Sequence, residues 1–207
     1  MKRAILSLML LALMTSFAGA QCAGPMGKAD ASKSSSVNTA FKTEYFTALA
    51  DLEKKIVALA EAAPQEKYSW KPGKPGDDVR SVGEVFMHMA GGNYSYARMT
   101  GATIPSDIQP REFEKSSNDK AKTVDTLKKS FAFLRKTAEN LSDSDMDKTV
   151  KIYGRTGTVR EVLLISVTHQ SEHLGQSIAY ARSIGVVPPW TVERQEAQKK
   201  AADATKK

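Results

Sequence analysis

The stretch THQSEHLGQ, residues 168–176, sets His169 and His173 four positions apart inside an otherwise apolar run. Residues at i and i+4 of a helix share a face with Cβ atoms ~5 to 6 Å apart, so two imidazole nitrogens can converge on one ion about 2 Å from each. The chain has 3 histidines in all, and the third, His88, lies upstream in VFMHMAGGNY between the apolar Val85 and Met89. Three neutral imidazoles from two helices would hold a divalent ion such as zinc or nickel and leave one or more coordination positions open. Open coordination marks a catalytic site more than a structural one. The pattern is not the HExxH of zinc peptidases, because Gln170 stands where those enzymes carry glutamate.

A blander reading stands beside this one. A single buried histidine is more often a hydrogen-bonded core residue than a ligand, and HxxxH pairs on helices are commoner than metal sites. What favours a joint site is that these three exhaust the histidines and all fall at inward helical positions. Five further residues belong to the same neighbourhood. Gln176, one turn past His173, is placed to orient an imidazole by hydrogen bonding. Glu84, one turn before His88, has the alternatives of base, hydrogen-bond acceptor behind a ligand, or helix cap, with the cap favoured. Glu172 falls beside the ligand face and points to solvent or a nearby cation, and Trp70 and Trp190 either line a mouth or simply pack.

Four helices must position these residues. In the first, Phe41, Tyr45, Leu49, Leu52, Ile56 and Leu59 recur at steps of three and four, and Pro64 helps to stop the helix. The second opens at Ser81 with the capping box S-x-x-E and runs to about Met99, burying Val82, Val85, Phe86, Met89 and Tyr96. Residues 101–119 form a long polar connection, long enough for helices two and three to run parallel. The third helix shows Val124, Leu127, Phe131, Leu134, Ala138 and Leu141. TVKIYGRTGTV then reads either as a short hairpin or as an extended loop. A second capping box, Thr158 with Glu161, opens the fourth helix, which reaches Gly185. Its stripe Val162, Ile165, Tyr180 is interrupted by His169, His173 and Gln176, and an unpaired polar group in a core costs roughly 1 to 3 kcal/mol.

The opening MKRAILSLMLLALMTSFAGA has Lys2 and Arg3, an apolar run and the small-x-small triplet Ala18, Gly19, Ala20, so residues 1–20 read as a secretory signal peptide. Export to the periplasm or beyond follows. Cys22 sits where a lipoprotein carries its lipidated cysteine, but Gln21 stands where that pattern wants a small residue. Residues 21–37 are small and polar, a flexible leader, and residues 191–207 read as a flexible tail. No later segment approaches the ~20 apolar residues that span a bilayer. The formal charge of +7 becomes +5 once Lys2 and Arg3 are removed, and this mild, dispersed excess argues against nucleic-acid binding.

Together these residues resemble the DinB-like metal-binding four-helix bundles. The resemblance covers roughly residues 38–190 and rests on SVGEVFMHMA, on HQSEHLGQSIAYAR with its H-x-x-x-H-x-G-Q pattern, on APQEKYSWKP and on GVVPP. It implies an all-α, up-down-down-up four-helix bundle with a long crossover between helices two and three, and a divalent ion on His88, His169 and His173. Relatives include metal-dependent thiol transferases and a thiol-dependent isomerase, and some dimerise. The implied function is a metal-dependent transferase or hydrolase that activates a thiol or water toward a small molecule. Export departs from the typical cytoplasmic relative and sets the thiol in question. The alternatives are a non-catalytic bundle that carries metal or ligand, and a structural domain whose histidines only hydrogen-bond.

Overall fold

A computed structural model describes residues 28–74 and 76–205, with side chains described from residue 37 onward. The signal-peptide segment and Cys22 lie outside the described residues. Five α-helices and one small hairpin make up the regular structure of the described residues: α1 (Lys28–Ala62), α2 (Val82–Met99), α3 (Lys120–Glu139), β1 (Thr149–Ile152), β2 (Arg155–Thr158), α4 (Val159–Ser183) and α5 (Pro189–Ala204). Helices α1 to α4 enclose one core. Within it α1 packs on α3 and α4, and α2 packs on the same two helices.

The periodicities locate that core well. Tyr45, Leu49, Ile56 and Leu59 of α1 are buried, as are Phe86 and Met89 of α2, Leu127, Phe131 and Leu134 of α3, and Val162, Leu163 and Leu174 of α4. Both halves of the Ser81 capping box form: the Glu84 amide donates to Ser81 Oγ at 3.2 Å and the Ser81 amide to Glu84 Oε2 at 2.6 Å. Helix α3 starts at Asp119, whose Oδ1 accepts the Lys122 amide at 2.7 Å, and it ends before Leu141, which lies in the following turn.

Contacts at the helix ends fix which termini meet. Arg160 at the start of α4 donates to Asn38, in the N-terminal half of α1, at 2.9 Å. Lys42 of α1 donates to the Leu141 carbonyl just past α3 at 2.6 Å, and Lys120 at the start of α3 donates to the Glu61 carbonyl at the end of α1 at 2.6 Å. Ser81 and Asn118, which precede α2 and α3, lie 3.3 Å apart. The loop after α1 is pinned by buried Tyr68, whose hydroxyl donates to the Ala60 carbonyl at 2.7 Å.

Two segments differ from their sequence reading, and a third settles a choice that the sequence left open. Helix α1 begins at Lys28, so the second half of the expected flexible leader is helical. Residues 189–204 form α5 where a flexible tail is expected; this run of Glu, Gln, Lys and Ala has strong intrinsic helix preference but buries no residue, so it carries no apolar stripe to read. The segment around Gly154 is a hairpin rather than a loop, pairing Ile152 with Arg155 across Tyr153 and Gly154. Both turn residues have positive φ, 48° and 86°, as a two-residue primed turn requires. Tyr153 is held there by its hydroxyl, which donates to that of Tyr96 on α2 at 3.0 Å.

The connection from α2 to α3 folds back on α2 through a 3-10 turn, Pro110–Lys115. Gly91 permits this approach, since a Cβ there would sit 2.5 Å from the Pro110 carbonyl oxygen. Among the described residues no helix is long and apolar enough to cross a membrane.

Candidate metal centre

Helix α2 carries His88 about two turns after its capped start, and α4 presents His169 and His173 from consecutive turns. The three rings meet at the α2/α4 seam, with centroids 5.1 Å apart for His88 and His169, 4.7 Å for His88 and His173, and 4.5 Å for His169 and His173. One ligand nitrogen from each can be chosen so that all three lie within 4.8 Å of one another. His88 Nε2 and His169 Nε2 are 3.1 Å apart. Two nitrogens on a tetrahedral zinc ion stay about 3.3 Å apart, so this spacing needs little adjustment to accept one.

The outer edges of two rings are held by acceptors. His88 Nδ1 lies 3.0 Å from Glu114 Oε2, and His173 Nδ1 lies 2.8 Å from Gln176 Oε1. Each acceptor takes an Nδ1 proton, which leaves the Nε2 lone pair of that ring free to face inward. Gln176 in turn donates to the Tyr180 hydroxyl at 3.1 Å, and Trp70 meets the Tyr180 ring edge-on at 5.6 Å. Arg80 Nε stands 3.0 Å from Glu114 Oε1, an ion pair by distance in which the N–H does not aim squarely at the carboxylate. His169 has no such anchor: its Nδ1 is buried without a partner.

Burial, more than any neighbouring charge, keeps His88 and His169 neutral. Burial, followed by the charges of His173, His88 and Arg80, pushes His169 down to about 3. Burial, then Arg80 and His173, also lowers His88, outweighing the opposing pull of Glu114. Neutral imidazole is the form that ligates metal.

The other sequence candidates take clear places. Glu84 is a cap: burial pushes its carboxyl upward, but the Ser81 amide and Lys71, 3.4 Å away, outweigh this and hold it below the ordinary range. Glu172 is exposed. Trp190 packs half-buried against the core at the start of α5, outside this chain of contacts. Gln170 is fully buried and ties helices together, its Nε2 donating to the Met89 carbonyl at 3.1 Å and to Asn93 Oδ1 at 2.7 Å. Asn93 passes the link on to Ser130 of α3 at 3.1 Å. The residue that sequence reasoning missed is Glu114. It sits in the polar crossover, where no helical spacing relates it to His88.

Comparison with known proteins identifies the fold and the family. The Bacillus subtilis (strain 168) uncharacterized protein YjoA is 29% identical over 129 residues, which are 61% of this chain and 80% of that protein. The crystal structure of a DinB-like protein from Bacillus cereus ATCC 10987 superposes with a TM-score of 0.62 at 16% identity, covering 70% of this chain and 93% of the other. The DinB-like YjoA structure from Bacillus subtilis gives a TM-score of 0.55 at 19% identity, with the same coverages of 70% and 93%. These two likenesses show the fold, and residues 35–204 match the DinB family itself. By fold, and by a family match that spans most of its length, the chain belongs to the DinB family.

Proposed function

We propose that His88, His169 and His173 hold one divalent cation, zinc or nickel, and that the chain works as a metal-dependent transferase or hydrolase on a small molecule. The observation that carries this is the meeting of three imidazoles whose ligand nitrogens lie within 4.8 Å of one another. A divalent ion held there would supply Lewis-acid chemistry, lowering the pKa of a thiol or water at neutral pH. The residues of the chain prepare the site. Glu114 and Gln176 fix the tautomers of His88 and His173, burial keeps His88 and His169 uncharged, and Arg80 balances the Glu114 carboxylate.

Beside the histidines, a cleft of about 380 Å³ is lined by Lys71, Arg80, Glu84, Glu114, Gln176 and Tyr180 among others. It shares Glu114 and Gln176 with the centre, and we assign the substrate to it. Two larger grooves, about 510 and 820 Å³, run along the surface of α1 and α3 and share no residue with the histidines or their acceptors, so size alone does not locate the chemistry.

These contacts support the up-down-down-up order: the start of α4 meets the N-terminal half of α1, the starts of α2 and α3 meet, and α3 runs against α1. The opening MKRAILSLMLLALMTSFAGA supports export. Elemental analysis of the purified protein, with thermal melting in added zinc, tests the metal reading. The expected result is copurifying metal and a raised melting temperature; no metal and an unmoved melt reduce the histidines to core hydrogen bonding. Metal-loaded protein that turns over no thiol acceptor, ester or amide is a binding protein instead.

A further inference from the structure

We infer that Gly92 is a positioning residue of the metal centre: the side chain it lacks is the space that the His169 imidazole fills. The inference rests on the metal reading above. Gly92 lies on α2 one turn beyond His88. A Cβ built on it would come within 2.9 Å of His169 Cε1 and 3.3 Å of His169 Nδ1, with Tyr96 Cε2 at 3.5 Å. The ring is boxed in. Tyr96 meets it edge-on at 5.4 Å between centroids, and His173 and His88 flank it at 4.5 and 5.1 Å.

Retreat to an ordinary 3.4 Å contact would shift the ring by about half an ångström (3.4 − 2.9), whereas metal–nitrogen distances hold to about 0.2 Å. A methyl group at position 92 therefore moves a ligand out of bonding geometry without touching the metal.

The usual reasons for a glycine do not apply here. Gly92 is not among the glycines with positive φ, and inside a helix glycine is less stable than alanine. Two other helical glycines give the contrast. Gly91 answers to the backbone, facing the Pro110 carbonyl at 2.5 Å, and Gly175 on α4 has nothing within 4 Å of its built Cβ. Only Gly92 of these three faces a candidate ligand.

The test uses the full chain as wild type, Gly92→Ala, Gly175→Ala, His169→Ala and the double variant Gly92→Ala with His169→Ala. Zinc affinity is read by chelator competition, coordination by the visible absorption of the cobalt form, and apo stability by thermal melting. Gly92→Ala is expected to lose at least roughly tenfold in zinc affinity and to change the cobalt spectrum. Gly175→Ala leaves both unchanged. In the metal-free protein, Gly92→Ala raises the melting temperature more in the His169→Ala background, where the ring is gone, than in wild type.

Zinc affinity within twofold of wild type, with an unaltered cobalt spectrum, overturns the inference. So does a Gly92→Ala chain that fails to fold whether or not His169 is present, because the glycine then serves the backbone and not the ring. Wild type that binds no zinc sinks the metal reading and the positioning role together. The melting comparison then still shows whether Gly92 accommodates the His169 ring.

Discussion

His88 Nε2 and His169 Nε2 face each other across the α2/α4 seam at 3.1 Å, two acceptor-capable atoms brought from residues 81 positions apart. With Glu114 holding the Nδ1 proton of His88, that contact needs a proton on His169 Nε2, and a cation in the same space removes the need for it. The pair would therefore respond directly to occupancy.

Replacing both α4 ligands tests the centre most directly. His169→Ala with His173→Ala is expected to abolish copurifying metal by elemental analysis. Zinc at a hundredfold excess over Kd should stabilise wild type by about 2.7 kcal/mol and the variant not at all. Equal metal content in the two proteins would place the ion elsewhere.

Glu114→Ala should weaken zinc binding by about 10- to 100-fold, because His88 loses the acceptor that fixes its tautomer. Glu114→Gln keeps an acceptor without the charge and should fall between. Chelator competition measures both, and an Ala variant that binds like wild type would show that Glu114 serves Arg80 alone.

Gln170→Glu converts the motif to HExxH without creating a peptidase. The carboxylate cannot donate to the Met89 carbonyl or to Asn93, and it is buried in a fully enclosed position. Urea denaturation should show a loss of about 3 kcal/mol or more at neutral pH, with no peptide hydrolysis gained. Undiminished stability would mean that the Gln170–Asn93–Ser130 link contributes nothing.

Acid should weaken the metal-free fold through the same histidines. His169 is lowered from 6.5 to about 3 and His88 is lowered as well, so the unfolded chain binds more protons than the folded one between those values. Stability from these groups is fully present above about 6.5 and drains away as pH falls toward 3. Denaturant midpoints at a series of pH values should show this slope in wild type and a shallower one in His169→Ala. Identical slopes would remove the argument that burial holds His169 neutral.

The core and the three histidines were legible because helices repeat: steps of three and four placed Leu49, Phe86, Leu127 and Leu163, and the same rule put His169 and His173 on one face. The two capping residues Ser81 and Thr158 marked helix starts to the residue. Gln176 was within reach of the same reasoning, being one turn from His173. Glu114 was not, since its meeting with His88 depends on how the crossover folds over α2. Helix α5 was hidden for the opposite reason, having helix propensity but no buried face.

That Glu114 stands on the crossover, and not on a bundle helix, separates two kinds of evolutionary freedom. Substitution at Glu114 itself can retune how strongly His88 gives its electrons while the buried residues of the four helices stay as they are. A lineage can therefore change the reactivity of this centre by editing a connector, and the scaffold need never notice.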